Sequence, residues 1–173
     1  MNQTILNEYF STAWKSELDV YQYSGWQLID KIQDGEHVID VGCGFNEFKT
    51  HIPYLIGIDP ANPAADVLTT VEDFKGNIYA FDVAFCLGSI NFGTEETIIN
   101  QIRCVVNLLK PVSRIYWRCN PGLHDHNNEE CNVIEFYPWT EQKLINYASL
   151  FGYSVKELQI DSKSRLYAEW VRH

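Results

Sequence analysis

A mostly parallel α/β sheet is the fold class this sequence predicts: a three-layer sandwich around seven strands, with an antiparallel strand at the C-terminal end. Three observations predict it. Strand-like apolar runs alternate with helix-like amphipathic ones along most of the chain. One short apolar run, Val38-Ile39-Asp40-Val41, breaks abruptly into Gly42-Cys43-Gly44. The last two strand-like runs are separated only by Asp161-Ser162-Lys163-Ser164, too short for a crossover, so they pair antiparallel.

In order, residues 3–16 read as a helix with Ile5, Leu6, Tyr9, Phe10 and Ala13 on one side. Ser24-Gly25-Trp26-Gln27 has the form of a capping box, opening a second helix with Trp26, Ile29 and Ile32 on one face and Gly35 at its end. Residues 37–41 form the first strand. The turn 42–45 leads into a short helix from Asn46, stopped near Pro53. Residues 54–58 and 66–70 are the second and third strands. Residues 81–87 are almost continuously apolar, as in a strand buried on both faces. Thr94 caps a helix with Glu95 and Glu96 in its first turn, where they suit the helix dipole. Ile98, Ile99, Ile102, Val105, Val106 and Leu109 make its apolar stripe, and Lys110-Pro111 ends it. Residues 114–119 are the fifth strand. Thr140 caps a helix to Phe151, stopped by Gly152, and residues 153–160 and 165–171 are the closing pair.

The 173 residues suffice for one domain, expected as an N-terminal helical cap over 1–34 and an α/β core over 35–173. A net charge of −10, with no Lys/Arg run longer than two, makes nucleic acid a poor partner, since phosphate backbones are repelled. Five cysteines, an odd number, with Cys43, Cys86 and Cys119 in or beside predicted strands, fit a reduced cytoplasmic setting better than a disulfide frame. The N-terminal residues lack the basic-then-apolar order of a signal peptide. No 18-residue apolar run predicts a membrane span.

The chemistry sits at strand ends. Gly42 and Gly44 bare a turn that a ligand can approach closely. Asp59, fifteen residues beyond Gly44, ends the next strand and is placed to take both ribose hydroxyls. Its other reading is a cap of the turn at Pro60. The pair predicts an adenosine-containing ligand.

Val38–Gly44, Gly57–Pro60, Phe81–Ser89 and Leu108–Pro111 follow one another at spacings that resemble the class I S-adenosylmethionine-dependent methyltransferase family, over roughly residues 35–172. The resemblance implies a Rossmann-like core, S-adenosylmethionine as methyl donor and S-adenosylhomocysteine as product. It places Asp40 at the ligand's ammonium, Gly42, Cys43, Gly44 and Asn46 in the turn, and Asp59 and Pro60 at the ribose. Asn46 stands where the family often has a third glycine, and Asn tolerates left-handed backbone. Thr70, Val71 and Glu72 fall at the adenine, with backbone near Val71 standing in for the acid the family often holds there. Leu87, Gly88 and Ser89 border the methionine part and sulfonium. Tyr21 or Tyr23 caps the sulfonium as an aromatic face, or simply packs in the core. Asn91 orients an acceptor or makes the loop turn. Cys43 is a small packed side chain rather than a nucleophile.

His124 and His126 are the clustered imidazoles. They serve as a general base, as metal ligands with Cys119 and Cys131 at no recognised spacing, or as part of a solvated loop. No metal site is expected. The expected activity is methyl transfer to a small molecule or a protein side chain. The base-methylating signature, an Asn or Asp before two prolines and an aromatic, is missing after the fourth strand. One alternative is a non-catalytic S-adenosylmethionine-binding regulatory or partner subunit. A nicotinamide oxidoreductase is disfavoured by Glu47, whose carboxylate would face pyrophosphate.

Overall fold

The computed structural model describes residues 3–12, 14–122 and 134–173. Strands β1 (Val38–Val41), β2 (Leu55–Asp59), β3 (Val67–Leu68), β4 (Phe81–Leu87), β5 (Leu109–Cys119), β6 (Ser154–Ile160) and β7 (Leu166–Arg172) form one sheet in the order β3-β2-β1-β4-β5-β7-β6. The first five strands are mutually parallel, and β7 runs antiparallel to both β5 and β6. This is the predicted seven-stranded sheet with one reversed strand.

The two faces follow from alternation along buried strands. Ile39, Ala84, Cys86, Ile115, Trp117, Ala168 and Trp170 face one core, against Ile98, Ile102 and Val105 of helix α2 (Glu95–Leu108) and Leu144, Tyr147 and Ala148 of α3 (Glu141–Leu150). Val38, Val83, Phe85, Tyr116 and Tyr167 face the other, against Leu28 and Phe48 from two 3₁₀ turns, Trp26–Lys31 and Glu47–Thr50. A third cluster joins Leu6 of helix α1 (Gln3–Thr12) to Phe92, Ile134 and Phe136 beyond the strand ends. Among the described residues, no helix is long and apolar enough to cross a membrane.

Three local expectations fail for identifiable reasons. The capping box does not form. Gly25, not Ser24, precedes the turn, without a side-chain cap, and the Gln27 amide donates to Tyr21 O at 3.0 Å instead of reaching back. Gly25 is clamped there, since a Cβ would lie 2.2 Å from Leu18 O, so tertiary packing sets this start. The first helix ends at Thr12 rather than residue 16. β5 begins at Leu109, five residues early, with Pro111 in the stretch where the β4–β5 ladder shifts register; a residue without N–H is tolerated there.

Thr94 and Thr140 do cap α2 and α3, accepting from Thr97 N at 3.3 Å and Lys143 N at 3.1 Å. Thr94→Ala and Thr140→Ala should each cost about 1 kcal/mol, roughly 2–4 °C in Tm by thermal denaturation.

Candidate functional site

The parallel strands end on one rim, and a pocket opens there. Its floor takes residues from β2 (Ile58, Asp59), β1 and its turn (Val41, Gly42, Gly44), β4 and its loop (Leu87–Asn91) and β5 (Arg118), with Arg165 just before β7. Leu6 and Phe10 of α1, with Trp14, Phe92 and Phe136, make the apolar roof. Thr70, Val71 and Glu72 form the side wall beyond β3.

The glycine turn is tied to β2. Gly42 N and Cys43 N donate to Ile58 O at 2.8 and 3.1 Å. Gly42 has φ +70°, and a Cβ on it would sit 2.3 Å from Ser89 Cβ; only glycine lets β1 and the β4 loop approach this closely. Gly44, at φ +55°, lies under the Trp14 ring, which stacks on Phe45 with centroids 5.8 Å apart. Ser16 donates to the Glu47 carboxylate, pinning the segment after α1 onto the turn.

Asp59 performs the turn-capping role and lines the pocket as well. Its Oδ1 accepts from Ala61 N at 2.7 Å and Asn62 N at 2.8 Å, and its Oδ2 accepts from Gly44 N at 3.0 Å. With two acceptor positions per oxygen, Oδ1 is filled and Oδ2 keeps one place for a ligand hydroxyl. On the other side of Gly42, the Ser89 hydroxyl is buried in the pocket wall without a partner among the described residues. A buried orphan of this kind calls for a ligand group to satisfy it.

Pro60, Thr70, Val71, Glu72, Leu87, Gly88, Ser89, Asn91 and Tyr21 all lie in the wall. The Thr70 hydroxyl is engaged by Asp73, and Glu72 accepts from Gln101 at 2.8 Å. Asn91 is the keystone of two loops: its amide donates to Gly88 O at 2.9 Å and accepts from Asn120 N at 3.0 Å. The Tyr21 ring lies against the Arg118 guanidinium, 4.0 Å from centroid to Cζ.

Four expected residues are not in the wall. Tyr23 stacks on Tyr167 at 5.5 Å, within the core on the other sheet face, and so cannot cap a sulfonium. Asn46 does adopt the left-handed backbone, φ +57°, but its amide turns to Ala64 O and the Asp66 carboxylate. Cys43 packs towards Gly57, and burial pushes its thiol well above the ordinary range. Asp40 is buried beneath the turn. Burial and the neighbouring Asp59 carboxylate raise it to about 7. His124, His126 and Cys131 lie outside the described residues.

Sequence reasoning missed Arg118 and Arg165. Both were legible in principle: one lies at the C-terminal end of β5, and the other heads the reversed strand on the same rim. It also missed the roof, since nothing local says where Phe10 or Trp14 comes to rest.

No protein-family model matches the chain, and no curated protein matches it in sequence. Solved structures do match in fold. The Burkholderia thailandensis 1,6-didemethyltoxoflavin-N1-methyltransferase, bound to 1,6-didemethyltoxoflavin and S-adenosylhomocysteine, aligns over 98% of this chain and 88% of its own, at TM-score 0.72 and 13% identity. An S-adenosylmethionine-dependent methyltransferase from Thermotoga maritima aligns over 99% and 100%, at 0.69 and 12%. The magnesium protoporphyrin IX methyltransferase of Synechocystis PCC 6803, with S-adenosylmethionine bound, aligns over 99% and 97%, at 0.67 and 14%. The chain therefore has the fold of the class I S-adenosylmethionine-dependent methyltransferases.

Proposed function

We propose that this protein transfers a methyl group from S-adenosylmethionine to a small molecule or a protein side chain. One observation carries the reading. Two groups with hydrogen-bonding capacity to spare, Asp59 Oδ2 with one acceptor place left and the unpartnered Ser89 Oγ, flank the bare Gly42–Gly44 turn inside a single pocket. A ribose hydroxyl on one side and an amino-acid tail on the other are what such a pair fits. Val71 and Ile58 offer apolar surface beside Asp59 for a base, and Pro60, Thr70 and Glu72 border it.

The donor supplies a methyl carbon already activated by its sulfonium. The chain's task is therefore alignment and exclusion of water rather than proton chemistry. Leu6, Phe10, Trp14, Phe92 and Phe136 exclude water from above. Gly88 and Ser89 set the sulfonium's depth, and the space beyond β4 towards β5 is left to the acceptor. Asp59, already holding three backbone amides, takes one ribose hydroxyl directly, rather than the two that the strand-end reading gave it.

S-Adenosylhomocysteine should raise the melting temperature of the wild type, as a ligand of the native state must. Asp59→Ala should weaken its binding by about 2 kcal/mol, roughly thirtyfold in Kd by calorimetry, the worth of a hydrogen bond to a charged group. No stabilisation of the wild type would remove the methyl-transfer reading.

A further inference from the structure

Among the described residues, helix α2 reaches the pocket wall only through Gln101. Gln101 lies three residues after Ile98 and four before Val105, on the flank of the stripe that α2 buries against the sheet. Packing alone would be served there by an apolar side chain. The chain instead places an amide, at the β2–β3 end of the pocket, where Asp59, Thr70, Val71 and Glu72 also line the wall.

The amide has one orientation. Gln101 Nε2 donates to Glu72 Oε1 at 2.8 Å. A carboxylate only accepts, so turning the amide over would set its oxygen against the Glu72 oxygens. Glu72 therefore fixes which end of Gln101 is left over, and it is the acceptor. That oxygen, Oε1, is buried and has no hydrogen-bond partner among the described residues. An amide oxygen withdrawn from water without a partner is destabilising, and a native fold keeps one where a ligand group or a water completes it. In the wall of a ligand pocket the missing partner is a donor carried by the ligand.

We propose that Gln101, oriented by Glu72, selects the donor's base: its Oε1 accepts from the exocyclic amino group of adenine and rejects a 6-oxo purine. The proposal rests on the methyl-transfer reading, which puts the base at this end, beside Ile58 and Val71, with its ribose on Asp59. A 6-oxo base presents an acceptor where adenine presents a donor. Two acceptors would then meet, with the amide unable to turn, and a site built around one hydrogen bond discriminates strongly against the partner that cannot make it. Adenine is thus recognised from the flank of a helix, by a neutral amide, and Glu72 is a positioning residue that acts through Gln101.

The test titrates the whole chain calorimetrically with S-adenosylhomocysteine and with S-inosylhomocysteine, in which an oxo group replaces the 6-amino group. The wild type should prefer the adenosyl compound by about tenfold or more, as expected for one hydrogen bond exchanged for two facing acceptors. Gln101→Met keeps the length and apolar stem of the side chain without its oxygen. Its preference should fall to within about threefold, chiefly through weaker S-adenosylhomocysteine binding. Glu72→Gln gives the amide a neighbour that both donates and accepts, so Gln101 can turn over, and S-inosylhomocysteine should bind about threefold more tightly than it does to the wild type. Glu72 is exposed, so this second variant decides the matter if Gln101→Met fails to fold. Equal binding of the two nucleosides by the wild type overturns the proposal and leaves methyl transfer standing. So does an unchanged preference in folded Gln101→Met or in Glu72→Gln, which would leave the Gln101 oxygen to a water. A wild type that binds neither nucleoside removes methyl transfer, and the base contact with it.

Discussion

Replacing Asp40 with Asn should stabilise the protein at pH 8 relative to pH 4, by about 4 kcal/mol more than any such change in the wild type. Asp40 is 4% exposed, and burial with the Asp59 charge raises its carboxyl from 3.8 to about 7. Between those values the unfolded chain has released this proton and the folded chain still holds it. The stabilising contribution is therefore complete below about pH 4 and lost as pH rises to 7, at about 1.4 kcal/mol per pH unit. Asp66 and Asp82, held low by hydrogen bonds to Lys49 and Lys110 and to backbone amides, push the opposite way. The difference between wild type and Asp40→Asn isolates the buried group. Denaturant unfolding of both proteins from pH 4 to 8 measures it, and parallel curves would show that Asp40 does not hold its proton in the fold.

Gly42→Ala should have an effect of similar size in the opposite, destabilising direction. An L-residue at φ +70° costs about 1 kcal/mol or more. The new Cβ would lie 2.3 Å from Ser89 Cβ, between two strands fixed in register at Val38↔Val83, Ile39↔Ala84 and Asp40↔Phe85. Neither side can yield without moving backbone, which adds about 2 kcal/mol. The sum, about 3 kcal/mol, corresponds to a Tm lowered by roughly 6–12 °C. Ser89→Gly removes the obstructing carbon, so the double variant should recover most of the packing part and none of the backbone part. Strict additivity of the two substitutions would contradict the contact.

What the chain disclosed before folding was what local pattern controls. The almost continuous apolar run over 81–87 announced a strand buried on both faces, and Thr94 and Thr140 announced their helices, because each acts through its nearest neighbours. Gly42, Gly44 and Asp59 were legible for the same reason: a strand end and a turn are short-range objects. Side-chain destinations were not. Tyr21 and Tyr23 are two residues apart, yet one reaches the pocket and the other stacks under the sheet on Tyr167. That choice is made by distant partners, Arg118 for Tyr21 and Tyr167 for Tyr23. Asn46 kept the backbone conformation expected of it, but its side chain followed Asp66 rather than a ligand. Arg118 read as one polar residue in a strand until Asp161 and Tyr21 closed around it.

The most direct test of the central claim is a crystal structure of the protein with S-adenosylhomocysteine. In it a ribose hydroxyl should sit on Asp59 Oδ2, the amino-acid tail should cross Gly42–Gly44 towards Ser89, and the sulfur should face Arg118 across the β4 loop. A nucleoside bound anywhere else, or Trp14 and Phe10 filling that space in its presence, would contradict it.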